Sequence, residues 1–322
     1  MKHTSLLVAS ALLLAFMVGS TVAQSYPVKP VRVIVPFPPG GGVDSTARAI
    51  AQKFTEAWGQ QVIVDNRPGG GANIGASAVA KAAPDGYTLL VASTALAIAP
   101  SLYRKLPFDP LKDLLPVSQI LATSHVLAVH PSMPVTLKEL VALAKSRPGK
   151  LNYANTGVGT GTHLLGEMLR FATDINIVMV PYKGDAQAVP AMLAGEVDMG
   201  FSPPTNVIQL VRAGKLRALA MSGTSRSPAF PEVPTTAEAG FPEVNNVGWV
   251  SIFAPAGTPR DIVNKISAET IRALRMPDII EQLPRFGGDA AESTPEEFAA
   301  KYRADVVRYA RIIDKANIPP MD

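Results

Sequence analysis

The sequence predicts an α/β protein of two domains with largely parallel sheets, and three observations carry that expectation. Short β-type runs alternate with helical patterns along the chain. Glycine-rich turns stand between strand and helix at two distant places, 36–44 and 155–163. Behind an apolar N-terminal stretch, about 300 residues remain without a repeat or a low-complexity linker, which suits two domains of ordinary size.

In chain order, Val31-Arg32-Val33-Ile34-Val35 reads as the first strand, and Ala47, Ile50, Ala51, Phe54 and Trp58 recur at helical spacing over 44–58. A strand at 61–65, a helix at 73–82 and a strand at 87–92 continue the alternation. The isolated run 125–130 follows a proline-rich loop and reads as a strand. Helices at 136–146, 162–172, 185–194 and 204–212 then alternate with strands at 151–154, 177–180, 197–201 and 216–221. A second isolated strand covers 248–253. Helices at 260–275 and 295–317 close the chain, the last with an apolar stripe at Phe298, Tyr302, Val306, Tyr309 and Ile313. A chain that leaves one domain and returns needs two crossings, and the runs at 125–130 and 247–253 are the candidates. The 29 prolines, about twice the usual ~5%, punctuate element ends, as in Pro107-Phe108-Asp109-Pro110.

The N-terminus fits a secretory signal: Lys2, an apolar stretch over 6–18, then Thr21-Val22-Ala23 as a small-residue cleavage site. The run is too short to span a membrane easily and lacks a basic flank behind it. Export with cleavage near Ala23 into the periplasm is expected, residues 1–23 being the signal peptide. There is no cysteine, hence no lipid anchor, disulfide or thiolate chemistry. The formal charge of +4 comes from scattered Lys and Arg with no aromatic-interleaved basic stripe, which argues against nucleic acid as a partner.

Binding chemistry is suggested by the two glycine turns. Pro36-Phe37-Pro38-Pro39-Gly40-Gly41-Gly42-Val43-Asp44 opens the helix at 44–58, and glycines there let backbone approach a ligand while the helix dipole favours an anion. It is neither a Walker loop nor a dinucleotide fingerprint, so a small anion fits better than a nucleotide. Asn155-Thr156-Gly157-Val158-Gly159-Thr160-Gly161-Thr162-His163 mirrors it, with Thr160 or Thr162 able to cap the helix that follows. An ordinary strand-to-helix turn whose glycines relieve crowding is the other reading. Two facing helix N-termini suit a carboxylate.

These motifs carry a resemblance. With Asp65-Asn66-Arg67-Pro68-Gly69-Gly70-Gly71, Pro84-Asp85-Gly86-Tyr87-Thr88, Val180-Pro181-Tyr182-Lys183-Gly184, Ala213-Gly214-Lys215-Leu216-Arg217 and Phe253-Ala254-Pro255-Ala256-Gly257, in this order, the chain resembles the Bug family, the extracytoplasmic solute receptors of tripartite tricarboxylate transporters. The resemblance implies a type II periplasmic-binding-protein fold, two α/β lobes joined by two crossing strands with a ligand cleft between them. Lobe 1 would take 24–124 and 251–322, and lobe 2 would take 125–250. It implies a small carboxylate (di- or tricarboxylate, amino acid or aromatic acid) as ligand, transporter permease subunits as partners, a monomer and no cofactor. It carries Phe37, Gly41, Gly42 and Asp44 from the first lobe and Thr160, Gly161 and Thr162 from the second, with Asp44 mainly capping its own helix.

Further candidates stand beside bland alternatives. Ser93 and Thr94 end a strand, where open α/β sheets line their clefts, but either can be a helix or turn cap. Tyr182 and Lys183 follow the strand at 177–180, although a loop lysine is usually solvated. Asp198 can receive an ammonium or simply hydrogen-bond at a strand start. Relatives often carry an acidic or amide residue near 202–204, where this chain has Ser202-Pro203-Pro204. Trp249 can stack on an aromatic acid or fill a hinge core. No G-x-S-x-G elbow appears, and His125 and His130 fall on opposite faces of a strand. His163 opens a helix whose dipole favours its neutral form. An enzyme is not expected. The alternative to uptake is a periplasmic sensor presenting its ligand to a membrane kinase.

Overall fold

The computed structural model describes residues 26–227, 230–315 and 318–321. The expected signal and its cleavage point at Ala23 lie outside the described residues.

The chain begins with two consecutive βαβ units. β1 (Val31–Val35) leads through α1 (Gly42–Trp58) to β2 (Val62–Asn66), and through α2 (Asn73–Ala80) to β3 (Thr88–Ser93). β1 pairs in parallel with both β2 and β3. α3 (Ala95–Leu102) then leads to a long β4 (Leu114–Thr123). The chain crosses at residues 124–125 into a second sheet made of β5 (Val126–Val129), β6 (Asn152–Asn155), β7 (Val178–Pro181), β8 (Met199–Ser202) and β9 (Arg217–Met221). Between them run α4 (Leu137–Ser146), α5 (Gly161–Thr173), α6 (Asp185–Ala194) and α7 (Pro204–Arg212). Residues 222–247 lead back to β10 (Gly248–Pro255), followed by α8 (Arg260–Leu274), α9 (Pro277–Gln282), β11 (Asp289–Ala290) and α10 (Pro295–Lys315).

The sheet orders are β11-β4-β10-β3-β1-β2 and β7-β6-β8-β5-β9. Each sheet is mixed, which corrects the expectation of largely parallel sheets. β10 inserts antiparallel between β3 and β4, and β5 inserts antiparallel between β8 and β9. The returning strand of each crossing therefore becomes an interior strand of the sheet it joins. β10 is buried at every residue and belongs to the first sheet along its whole length.

Core packing accounts for the elements that periodicity predicts and settles the place of Trp249. Helices cover both faces of the first sheet: Phe54 and Ile50 of α1 with Val263 and Ile266 of α8 on one, Leu96 of α3 with Phe298 and Tyr302 of α10 on the other. Trp249 is fully buried in that second cluster, edge-on to Phe298 at 5.3 Å and to Tyr302 at 5.9 Å, and its Nε1 donates to Asp305 Oδ2 at 3.0 Å. Its role is core packing, with the indole N–H satisfied by a buried acid. Apolar contact also crosses between the sheets. Leu164 of α5 joins the first sheet's core, and Ile312 of α10 packs against cores of both sheets.

Candidate functional site

The strands of the second sheet end at the site. β6, β7 and β8 run parallel, so Asn155, Tyr182 and Ser202 emerge at one edge, and antiparallel β5 starts there beside Ser202. Three close approaches show that this edge meets the first sheet's half of the molecule. A β-carbon on Gly161 would lie 3.1 Å from Asn246 Nδ2, 3.7 Å from Thr94 Oγ1 and 3.9 Å from His125 Cε1. One on Gly159 would lie 3.0 Å from Leu102 Cδ2, and one on Gly287 would lie 2.9 Å from Pro203 Cβ. Glycine at 161 has an ordinary φ; what it provides is room for the α5 N-terminus to reach Thr94 and Asn246.

The 155–163 loop is held by its own hydroxyls. Thr160 is the N-cap of α5, its Oγ1 accepting from the His163 N–H at 3.4 Å and donating to the Gly157 carbonyl at 2.7 Å. Thr162 Oγ1 accepts from the Thr156 N–H at 3.1 Å and lies 2.8 and 3.0 Å from the hydroxyls of Thr156 and Thr160. Thr162 is therefore a brace within the loop. His163 Nδ1 accepts from the Gly159 N–H at 3.2 Å, and burial lowers its pKa against an opposing pull from Glu167. This places a neutral ring at the helix start, as the dipole argument required.

The 36–44 loop is braced by Asp44. Its carboxylate accepts from the Gly40 N–H at 2.8 Å, Asn66 Nδ2 at 2.8 Å and Arg48 Nε at 3.0 Å. Asn66 also donates to the Phe37 carbonyl at 3.1 Å. Burial raises the Asp44 pKa, but the bonds from Arg48, Gly40 and Asn66 outweigh it and the net shift is downward. Both oxygens are thus committed to the loop. Gly41 is the N-cap of α1 and no side chain caps that helix, so its first N–H groups have no side-chain acceptor, and Asp44 braces the loop instead of capping its own helix as expected. Gly42 packs under the carbonyl of Phe286, and Phe286-Gly287 in turn touches Pro203 of the other sheet.

The remaining expected residues divide. Thr94 is buried beside Gly161 and Gly248, and Ser93 Oγ accepts from the Ala95 N–H at 3.4 Å as a turn cap. The Tyr182 N–H donates to the Asn155 carbonyl at 3.0 Å, so Tyr182 stands at the site edge. Lys183 beside it is exposed. Asp198 lies at the opposite end of β8, where Oδ2 accepts from the Asn152 N–H at 2.6 Å; the structure does not bring it together with the others.

Sequence reasoning missed a set of polar side chains at the same edge. Asn155 Nδ2, Ser202 Oγ, Asp185 Oδ1, Thr205 Oγ1, His125 Nδ1 and Asn246 Nδ2 are all buried without a protein partner, and Asn155, Ser202 and Asn246 are almost fully enclosed. Such groups are rare in folded proteins and normally meet water or a ligand. His125 is half-buried as a residue, yet Nδ1 is enclosed and burial lowers its pKa to about 4. Asp185 has its pKa pushed up to about 6 by burial, opposed by nearby Ser202, by Asn206 and by its own N–H. Ser202 Oγ makes no bond of ordinary geometry there. A signal did exist for Asp185: Tyr182-Lys183-Gly184-Asp185 repeats the strand–glycine–helix arrangement of the other two loops. Among the described residues, no group of three or more His, Asp or Glu is arranged to hold a metal ion.

The sequence pattern described as "Tripartite tricarboxylate transporter family receptor" matches residues 46–318. The chain belongs to that family. It is 36% identical over 294 residues to the protein BugT of Bordetella pertussis, covering 90% of each chain. Its structure is similar to that of the periplasmic binding protein BugD, with a TM-score of 0.83, 32% identity, and 92% of this chain and 100% of that one covered. It is equally similar to R. palustris Rpa4515 with adipate, at a TM-score of 0.85, 32% identity, and the same coverage of 92% and 100%. The receptor has the two-lobed α/β periplasmic-binding-protein fold expected from the sequence. Among its described residues no helix is long and apolar enough to cross a membrane.

Proposed function

We propose that this receptor is exported to the periplasm, closes its two lobes on a small carboxylate, and delivers it to the membrane permease of a tripartite tricarboxylate-type transporter. The observation that carries the reading is the meeting of the α5 N-terminus with Thr94, His125 and Asn246, amid buried polar atoms that no protein group satisfies. Such an edge offers donors from helix N–H groups and amide side chains, which suits a carboxylate. The 36–44 loop supplies a second uncapped helix N-terminus from Gly41 and Gly42. Family membership and the adipate-bound relative support the same ligand class. The lobes divide at residues 124–125 and within 222–247, and hinge there; cleavage near Ala23 releases the mature chain.

The role is binding and not catalysis. Asp44, Thr160 and Thr162 spend their side chains on bracing the two loops, so recognition falls to main-chain N–H groups, to Thr94 and to the amides of Asn155 and Asn246. A thermal-shift screen against mono-, di- and tricarboxylates tests this. A ligand at about 100 times its Kd adds ~2.7 kcal/mol of stability, a visible shift. No shift with any carboxylate, alongside a shift with a cationic or neutral sugar solute, would sink the reading.

A further inference from the structure

The carboxylate-receptor reading leaves one buried group without a use. Asp185 opens α6 behind Gly184, whose φ of +106° turns the chain so that the carboxyl enters the polar edge. Its Oδ1 is enclosed and unpartnered, as are Ser202 Oγ and Thr205 Oγ1 close by. β7, β6 and β8 lie side by side, so Asn155 and Ser202 sit at two adjacent strand ends, and Asp185 opens the helix that follows the third. Neighbouring strand ends are ~4.8 Å apart, and Ser202 is close enough to Asp185 to lower its pKa, so the three groups share one edge. A small acid whose carboxylate sits at the α5 N-terminus lies along that edge.

We propose that Asp185, with Ser202, is the specificity-determining contact for the far part of the solute, and that it selects carboxylates bearing a hydroxyl or ammonium over plain dicarboxylates. The inference rests on the carboxylate-receptor reading. An ionised carboxylate only accepts hydrogen bonds, so its unpartnered Oδ1 is free to take a donor from the solute. Ser202 and Thr205 can accept or donate and complete the shell around that donor. A plain dicarboxylate offers that acceptor no donor and brings only a like charge toward a poorly solvated site, which disfavours it. At neutral pH Asp185 remains mostly ionised, since burial raises its pKa only to about 6. No charged side chain is among the groups that shift it: they are Ser202, Asn206 and the residue's own N–H. Lys183, two residues away, is exposed. The acceptor that the sequence left in doubt at 202–204, and offered at Asp198, is supplied instead by Asp185.

Calorimetric titration of the protein with matched acids tests the inference: succinate, malate and aspartate, and glutarate, 2-hydroxyglutarate and glutamate. The wild type should bind the best hydroxy or amino acid at least about tenfold more tightly than its plain homologue, as a charge-assisted hydrogen bond implies. Asp185→Asn should abolish most of that preference and improve the plain acid. Ser202→Ala, a milder change at a strand end, should reduce the preference about three- to tenfold. A plain acid bound as well as its substituted homologue overturns the inference, as does a preference unchanged in both folded variants; either leaves the carboxylate reading standing. If none of the six acids binds the wild type while a carboxylate without a hydroxyl or ammonium does, the inference falls and the carboxylate reading stands; if only a solute without a carboxylate binds, both fall together.

Discussion

Replacing Asp185 by Asn should stabilise the solute-free receptor at neutral pH, and the gain should vanish in acid. The folded pKa of about 6 against an ordinary 3.8 means that ionising this group costs the fold free energy that the unfolded chain does not lose. At 1.36 kcal/mol per pKa unit the penalty is about 3 kcal/mol, with ~1–3 expected after local relaxation. Because the folded state holds the proton more tightly, the penalty is absent below about pH 4, grows between about pH 4 and 6, and is complete above. Asn keeps the shape and carries no charge, so it matches the protonated acid. The assay is urea denaturation of wild type and Asp185→Asn at pH 7.5 and pH 4, read as the difference between the two proteins so that other carboxylates cancel. A variant less stable than wild type at pH 7.5, or a gain that does not depend on pH, would refute the burial argument. The same strain should be relieved by a donor-bearing solute, so malate or aspartate, if bound, should stabilise wild type more than the variant.

Gly161→Val should fold, because φ there is ordinary, but its side chain would reach Asn246 and Thr94 and remove carboxylate binding in calorimetry. Thr162→Val strips the acceptor from the half-buried Thr156 N–H and should cost ~0.5–2 kcal/mol of stability in denaturant titration, with any affinity loss secondary to loop disorder. Gly166→Ala drives a methyl into the Tyr153 ring, whose hydroxyl is fixed on Glu167 at 2.7 Å, and should cost ~1–3 kcal/mol by thermal unfolding, whereas Gly41→Ala, with open space around it, should be within about 0.5.

Amphipathic elements were legible in the sequence because each buries one face. α1, α5 and α10 announce themselves through Phe54, Leu165 and Tyr302 at helical spacing, and the alternation of elements predicted two α/β units. β4 was not anticipated. It is buried on both faces, so it has no alternation to read, and it contains Pro116. The register shift between Ile252 and Phe253 of β10 falls where Pro116 pairs, a position that tolerates the missing donor. α3 escaped for a similar reason: Ala95 to Ala99 are all buried, and Pro100 interrupts the pattern. Parallel pairing was over-predicted because nothing in β5 or β10 marks direction; both enter from a crossing, and only the tertiary fold orients them.

The site was legible as backbone and not as side chains. Glycine turns betray where a helix N-terminus needs room: Gly161 lets α5 approach Thr94 and Asn246, and Gly42 fits under the Phe286 carbonyl. The hydroxyls and the acid nearest those glycines, in contrast, mostly brace the loops: Asp44 clamps Gly40 to Asn66 and Arg48, and Thr162 ties Thr156 to Thr160. A short polar side chain beside a glycine turn is close enough in sequence to satisfy that turn, and the local bond wins. Groups free to meet a solute must come from elsewhere in the chain. Asn246 and His125 lie on the two crossings, Asn155 and Ser202 come from two strand ends, and Asp185 opens the helix that follows a third. Each buried polar atom left unpaired costs ~1–3 kcal/mol. In the proposed closure, several gathered at one edge would make the closed form unfavourable until a solute supplies the partners. For the proposed receptor that cost gives closure its selectivity, since only a solute that satisfies both the helix N-terminus and Asp185 would hold the lobes together.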